Sequence, residues 1–290
     1  MALERFLNPK NDLAFKRIFG TEKNQDILIH FLNDILKLSK SPIQKIRYLP
    51  TVQIPEVAAQ RMSAIDVLCE DQDAKRFIVE MQVESEPGFE KRAQYYAAKA
   101  YVEQRGKEHD YADLKSITFL AITSHTLFPN KDAYLSQHHM LDIETHEHDL
   151  VEFNFAFLEL TKFKKKKHEL TNLIDKWAYF LKNASKTSEA DLKEIVGQDT
   201  IIARAFDEIS AFNWNEAELR TYDLVDMQRI SARAILEGAE AKGRAEGKAE
   251  GKAEANVETA RNLMKLGIDK VAIAKATGLS LEQLAQLDRS

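Results

Sequence analysis

The chain reads as an α/β protein: one mixed sheet flanked by helices, followed by an α-helical C-terminal region. Three observations point there. Apolar residues in the first forty positions recur at helical spacing. From Ile43 to Leu160 short apolar runs separated by polar turns take over, interrupted by one helical stretch. From Asn172 the helical period returns and continues to the end.

Taken in order, Asn11 or Asp12 caps a first helix with Leu13, Phe15, Ile18 and Phe19 on its apolar face, and Gly20 stops it. A second helix spans roughly 24–38, with Ile27, Leu28, Phe31, Leu32, Ile35 and Leu36 at helical spacing. Ile43 to Val52 mixes β-branched and turn residues. The apolar runs from Met62 to Cys69 and from Phe77 to Val83 flank a polar turn at 70–75, so this part reads as a strand followed by a hairpin. Phe89 to Gln104 is helical behind Pro87-Gly88, and the stretches 116–123 and 151–160 are strands. The expected organisation is a core domain over 1–170 and a helical region over 171–236. A Gly/Ala/Glu/Lys repeat helix or linker follows over 237–256, then a small helical tail over 257–290.

Composition narrows the function classes. No apolar run reaches the roughly 18 residues that span a bilayer, and the N-terminal MALERFLNPKND lacks the apolar stretch of a signal peptide. The single cysteine, Cys69, cannot form an internal disulfide. These features predict a cytoplasmic protein without a membrane partner. The formal charge is −5, from 41 basic and 46 acidic residues. A nucleic-acid binder usually carries a basic bias, so any phosphate contact must come from local patches.

The hairpin carries the chemistry. Alternation along the strand at 77–84 sets Phe77, Val79, Met81 and Val83 on one face and Ile78, Glu80, Gln82 and Glu84 on the other. Asp66 stands among Ile65, Val67 and Leu68, where a charge is expensive to bury. An antiparallel hairpin brings it beside Glu80. Two adjacent carboxylates repel and push one another toward protonation. A divalent cation removes the conflict, and Mg²⁺ suits two carboxylates, a backbone carbonyl such as that of Met81, and waters. Gln82 would orient water or phosphate without a lysine's positive charge. The plainer alternative is a solvated hairpin that happens to carry acids at this spacing.

The order Asp66, Glu80, Met81, Gln82, followed by a helix, resembles the PD-(D/E)xK nuclease superfamily with Gln in the usual Lys position. The wider chain resembles its Rpn branch, the recombination-promoting nucleases also described as transposases. The resemblance runs through NDLAFKRIFG (11–20), LNDIL (32–36), AIDVLCED (64–71), FIVEMQ (77–82) and EKRAQYYAAKAY (90–101). It continues in the repeat tail and in IAKATGLSLEQL (273–284). It implies a restriction-endonuclease-like fold and metal-dependent hydrolysis of DNA phosphodiesters with Mg²⁺, or another divalent cation such as Mn²⁺ or Ca²⁺. Asp66 and Glu80 would be metal ligands, and Gln82 would take the catalytic lysine's position. Asp12 would add an accessory contact or serve as a helix N-cap. Ile65, not proline, precedes Asp66. A catalytically weak, mobile-element-derived protein that associates with DNA or oligomerises is the other reading, and nothing in the residues separates DNA from RNA.

Outside the hairpin, Lys162-Phe163-Lys164-Lys165-Lys166-Lys167 is the strongest basic run, with Lys164, Lys165, Lys166 and Lys167 consecutive, and Lys91 and Arg92 begin the helix after the active strand. These are candidate contacts for a nucleic-acid backbone, with a solvated loop and a plain helix surface as alternatives. His138, His139, His146 and His148 lack an accompanying cysteine and read as a polar loop and short strand, not a zinc site. Residues 243–254 repeat every four. On a helix Gly243, Gly247 and Gly251 form one stripe, Arg244, Lys248 and Lys252 the next, and Glu246, Glu250 and Glu254 another. Like charges stacked at i+4 weaken a lone helix, whereas two such helices would set lysines against glutamates. The segment therefore reads as a homo-oligomerisation stalk or a frayed linker. The spacing in IAKATGLSLEQL (273–284) is helix-turn-helix-like and leads into a last helix with Ser280 and Gln283 as a capping box. That helix offers Glu282, Gln283 and Gln286 but no basic residue, which favours packing or pairing over sequence-specific DNA reading.

Overall fold

A computed structural model describes residues 5–53, 63–104 and 110–287. The strands are β1 (Ile46–Tyr48), β2 (Val52–Gln53), β3 (Ser63–Ala64), β4 (Val67–Asp71), β5 (Arg76–Gln82), β6 (Ile117–Thr123), β7 (Leu135–His139) and β8 (Phe153–Glu159). Among the described residues, six of them form a sheet in the order β1-β4-β5-β6-β8-β7, and β2 pairs separately with β3. The β5, β6 and β8 strands run parallel, whereas β1, β4 and β7 are antiparallel to their neighbours. The sheet is therefore mixed, as the sequence predicts. Met62, the start of the expected second strand, lies outside the described residues.

Helices α1 (Asp12–Phe19), α2 (Gln25–Ile35), α3 (Phe89–Val102), α4 (Leu173–Asn183), α5 (Glu189–Val196) and α6 (Thr200–Glu208) cover the sheet. Strand alternation divides the core between its faces. Phe77, Val79, Leu120, Ile122 and Leu158 join Phe15, Phe19, Phe31, Trp177, Phe180 and Phe206 of the helices on one face. Ile78, Phe119, Ala121 and Phe157 meet α3 on the other, through Phe89, Ala93, Ala97 and Ala100. Alanine every three or four residues lets that helix lie close to the sheet.

The expected break between 170 and 171 is not a packing boundary. Helices α4 and α6 share the large core with α1 and α2, because Trp177, Phe180 and Phe206 are wholly buried there. The compact units are Met1–Asp226 and Met227–Ser290. Nor is the repeat a separate element, since 237–256 lies within one continuous helix, α7 (Glu216–Lys265). The alanine, glutamate, lysine and arginine between its glycines are strong helix formers.

In the second unit, α8 (Lys270–Thr277) and α9 (Leu281–Leu287) gather with the end of α7 around Ala260, Ile273 and Leu284. Gly278 ends α8 at φ +72°, a left-handed conformation that glycine adopts without strain. The Ser280–Gln283 capping box forms in both directions, at 2.8 and 3.1 Å. With so small a core, Ile273→Ala should destabilise this unit by about 2–4 kcal/mol. The expected result is earlier loss of helical circular dichroism from the tail, with the Met1–Asp226 transition unmoved; a shift of that main transition would contradict it.

Candidate active site

The site stands where β4 and β5 diverge. Asp71 N–H bonds the Lys75 carbonyl at 2.9 Å, closing the turn, and Val67 pairs with Val79. One residue further along, Asp66 faces Glu80. Asp66 precedes β4 instead of lying within it, because its N–H leaves the backbone ladder and donates to Glu80 Oε2 at 3.1 Å. The exchange is reciprocal: Asp66 Oδ2 accepts the Met81 N–H at 2.8 Å. Each carboxylate is thus held by one oxygen on backbone amide, with its geometry set by the hairpin register.

Glu80 and Gln82 point to the α3 face, as alternation requires, and both are buried, each 7% exposed. Burial, reinforced by the Asp66 charge, pushes Glu80 up to about 8. Asp66 is itself pushed up to about 6 by burial, against the lowering effect of its Met81 N–H bond, with Asp12 adding to the rise. Lys16 pulls both acids down, and Arg92 pulls Glu80 down. This is the carboxylate conflict that the sequence predicts.

Asp12 now has a definite place. The N-cap of α1 is Asn11, whose side chain accepts from Leu13 N–H at 3.0 Å, so the capping alternative for Asp12 falls away. The Asp12 carboxyl instead adds its charge to the rise at Asp66 and pairs with Lys16 at 3.0 Å. Lys16 is the residue that sequence reasoning missed. Its i,i+4 spacing from Asp12 was the available signal.

Gln82 is doubly engaged. Its Nε2 donates to the Glu84 carbonyl at 2.8 Å, and its Oε1 accepts from Arg92 Nη2 at 2.7 Å. Arg92 also pairs with Glu86. At the same end of the parallel strands, Gln82 is in register with Thr123, and Thr123 with Glu159. The lysine run follows immediately, but much of its charge is matched within the chain. Lys162 pairs with the fully buried Glu159, Lys165 with the fully buried Asp175, and Lys167 with Asp191 and Glu194. Lys166 bonds Glu169 through its backbone N–H. Burial lowers the pKa of Lys182, and the nearby Lys164 charge adds to that lowering.

Elsewhere, His138 packs on Phe128 and Phe157, while His139 bonds Asn154 and lies against His148 with the rings tilted by 50°. Among the described residues, no three His, Cys or carboxylate side chains gather closely enough to hold an ion by themselves. The donor set at the hairpin still fits a hard divalent cation, as a half-buried and a buried carboxylate that repel each other beside backbone carbonyls. Waters would complete such a shell.

Comparison with known families bears on the whole chain. The family described as PD-(D/E)XK nuclease family transposase matches residues 9–239. The family described as Rpn/YhgA-like nuclease family, C-terminal HTH domain, matches residues 253–288. No curated protein and no solved structure matches the chain. The first match includes α1, the whole sheet, Asp66, Glu80 and Gln82, and the second includes α8 and α9. On that evidence the chain belongs to the PD-(D/E)XK nuclease family, in its transposase-like Rpn branch.

Proposed function

We propose that this protein is a metal-dependent endonuclease that hydrolyses DNA phosphodiester bonds, of the recombination-promoting type. The observation that carries the reading is the Asp66–Glu80 pair, half-buried and buried respectively, each carboxylate tethered by a backbone N–H across the hairpin. Asp66, Glu80 and the Met81 carbonyl would hold Mg²⁺, or Mn²⁺ or Ca²⁺ in its place. Such an ion, when bound, polarises a phosphoryl oxygen and lowers the pKa of its water toward neutrality. Around it the chain's own residues do the positioning. The amide bonds keep both carboxylates aimed without side-chain reorganisation, and Asp12 and Lys16 flank them from α1. Burial against α3 limits the competing water.

DNA is the partner that the family supports, with Lys164, Lys165, Lys166, Lys167 and Arg92 as backbone contacts. Lys165 and Lys167 would have to exchange Asp175, Asp191 and Glu194 for phosphate. The helix-turn-helix match favours DNA as a ligand of the tail, despite its lack of basic residues on α9. Homo-oligomerisation through α7 and a cytoplasmic location complete the reading. No helix among the described residues is long and apolar enough to cross a membrane. A second reading, a catalytically weak DNA-associated or oligomerising relative, is favoured by Gln82 and by the net charge of −5.

Plasmid cleavage with and without Mg²⁺, run beside Asp66→Ala, decides between them. Metal-dependent nicking by the wild-type chain alone is the expected result. Equal cleavage by both proteins points to another site, and none by either favours the second reading. Mg²⁺ at about a hundred times its Kd should also raise wild-type stability by about 2.7 kcal/mol. Asp66→Ala should remove that gain in a thermal melt.

A further inference from the structure

The lysine that usually stands two residues after the acid on this strand is a glutamine here, and a cation reaches that glutamine from the next helix. Gln82 Oε1 accepts from Arg92 Nη2 at 2.7 Å, while Gln82 Nε2 is anchored on the Glu84 carbonyl at 2.8 Å. The carboxamide is therefore oriented at both ends. Arg92 lies over the Phe89 ring at 5.1 Å and the Tyr96 ring at 6.0 Å, which restricts its swing. Its Nε is buried without a hydrogen-bond partner, an arrangement that is expensive for so strong a donor. Its remaining ion pair is with Glu86, whose side chain is half exposed.

We propose that Arg92 supplies the positive charge that a lysine at position 82 would supply, and that Gln82 is its positioning residue. The assignment rests on the nuclease reading. A guanidinium has five N–H donors in a planar fork that matches two phosphate oxygens. Gln82 and Glu86 engage only its two Nη atoms. An incoming phosphate displaces the exposed Glu86 and takes up the free donors, while Gln82 keeps the fork turned toward Glu80. A neutral residue at 82 is required for this, because a lysine there would repel Arg92. The other nearby cation, Lys16, is matched by Asp12 within its own helix.

The test is a set of variants assayed with Mg²⁺ on plasmid, together with binding of a fluorescent duplex to the metal-free protein over a salt series. Arg92→Ala should lower kcat by roughly 10²-fold or more with KM changed only a few-fold. It should also lessen the slope of log K against log salt by about one phosphate contact. Arg92→Lys should recover part of the loss. The double variant Gln82→Lys with Arg92→Ala should cleave far better than Arg92→Ala alone, because the charge returns by the other route. A merely structural arginine on α3 would not be rescued by a lysine on β5. Wild-type cleavage that Asp66→Ala abolishes but Arg92→Ala leaves intact would overturn the assignment while the nuclease reading stands. So would a larger loss from Lys16→Ala than from Arg92→Ala, or a double variant no better than the single one. If the wild-type chain cleaves nothing, the nuclease reading falls first and this one with it.

Discussion

Glu80→Gln is expected to lower Mg²⁺-dependent cleavage by about 10³-fold or more, equivalent to about 4 kcal/mol of transition-state stabilisation, while making the metal-free fold more stable. Both effects come from one carboxylate. As a proposed ligand, Glu80 brings charge to the cation; without the cation that charge is buried beside Asp66. The sign for stability follows from the raised pKa. Glu80 holds its proton more tightly folded than unfolded, so its contribution is complete below its ordinary value of 4.5 and is lost as pH rises through about 8. Glutamine stays neutral throughout. The variant should therefore match wild type near pH 4 and exceed it by about 2 kcal/mol at pH 8.5, after allowance for relaxation of the pair. Thermal melts in chelator across that range measure it. A wild-type protein that gains on the variant as pH rises would mean that Glu80 is satisfied as an anion. Added Mg²⁺ should reverse the order at pH 8, since only the wild type keeps both carboxylates.

The largest stability loss is expected at Trp177. Its ring is wholly buried and meets Phe31 at 5.2 Å and Phe180 at 5.9 Å edge-on, with Phe19 at 6.2 Å. Its Nε1 donates to Asp34 Oδ2 at 2.8 Å, which ties α4 to α2. Truncation to alanine removes that bond and opens a cavity among aromatic residues. The expected cost is about 3–5 kcal/mol, a large part of the 5–15 kcal/mol that typically holds a domain folded. Urea unfolding followed by far-ultraviolet circular dichroism reads it directly. Asp34 also pairs with His30 at 2.7 Å, so Trp177→Phe, which keeps an aromatic ring and loses the donor with only part of the ring volume, should be milder. A loss under about 1 kcal/mol for the alanine variant would mean that α4 is dispensable to this core. That would restore the boundary at 170 that sequence reading placed there.

That misplaced boundary shows where sequence reading stops. Periodicity reports that 173–183 is an amphipathic helix, but not which surface receives its apolar stripe; Trp177 and Phe180 belong to the same core as Phe15 and Phe31. The short edge strand at 135–139 was only half legible for a related reason. Its polar LSQHH carries little alternation, and it is a strand because β8 offers it an edge.

For the site, the amino-acid sequence alone determined the hairpin, the separation of Asp66 from Glu80, and the face shared by Glu80 and Gln82. These follow from a two-residue period and one turn, which are properties of neighbouring residues. Tertiary structure decided what surrounds them. It put Asp12 and Lys16 of α1 beside the acids, gave the capping role to Asn11, and set Arg92 on Gln82. It also gave Lys165 to Asp175 and Lys167 to Asp191 and Glu194, turning two of the four lysines of an apparent phosphate clamp into internal ion pairs. The physical reason is the range of the interactions. Backbone geometry is set within a few residues, whereas a charge finds its partner only after helices distant in sequence have packed against the same sheet.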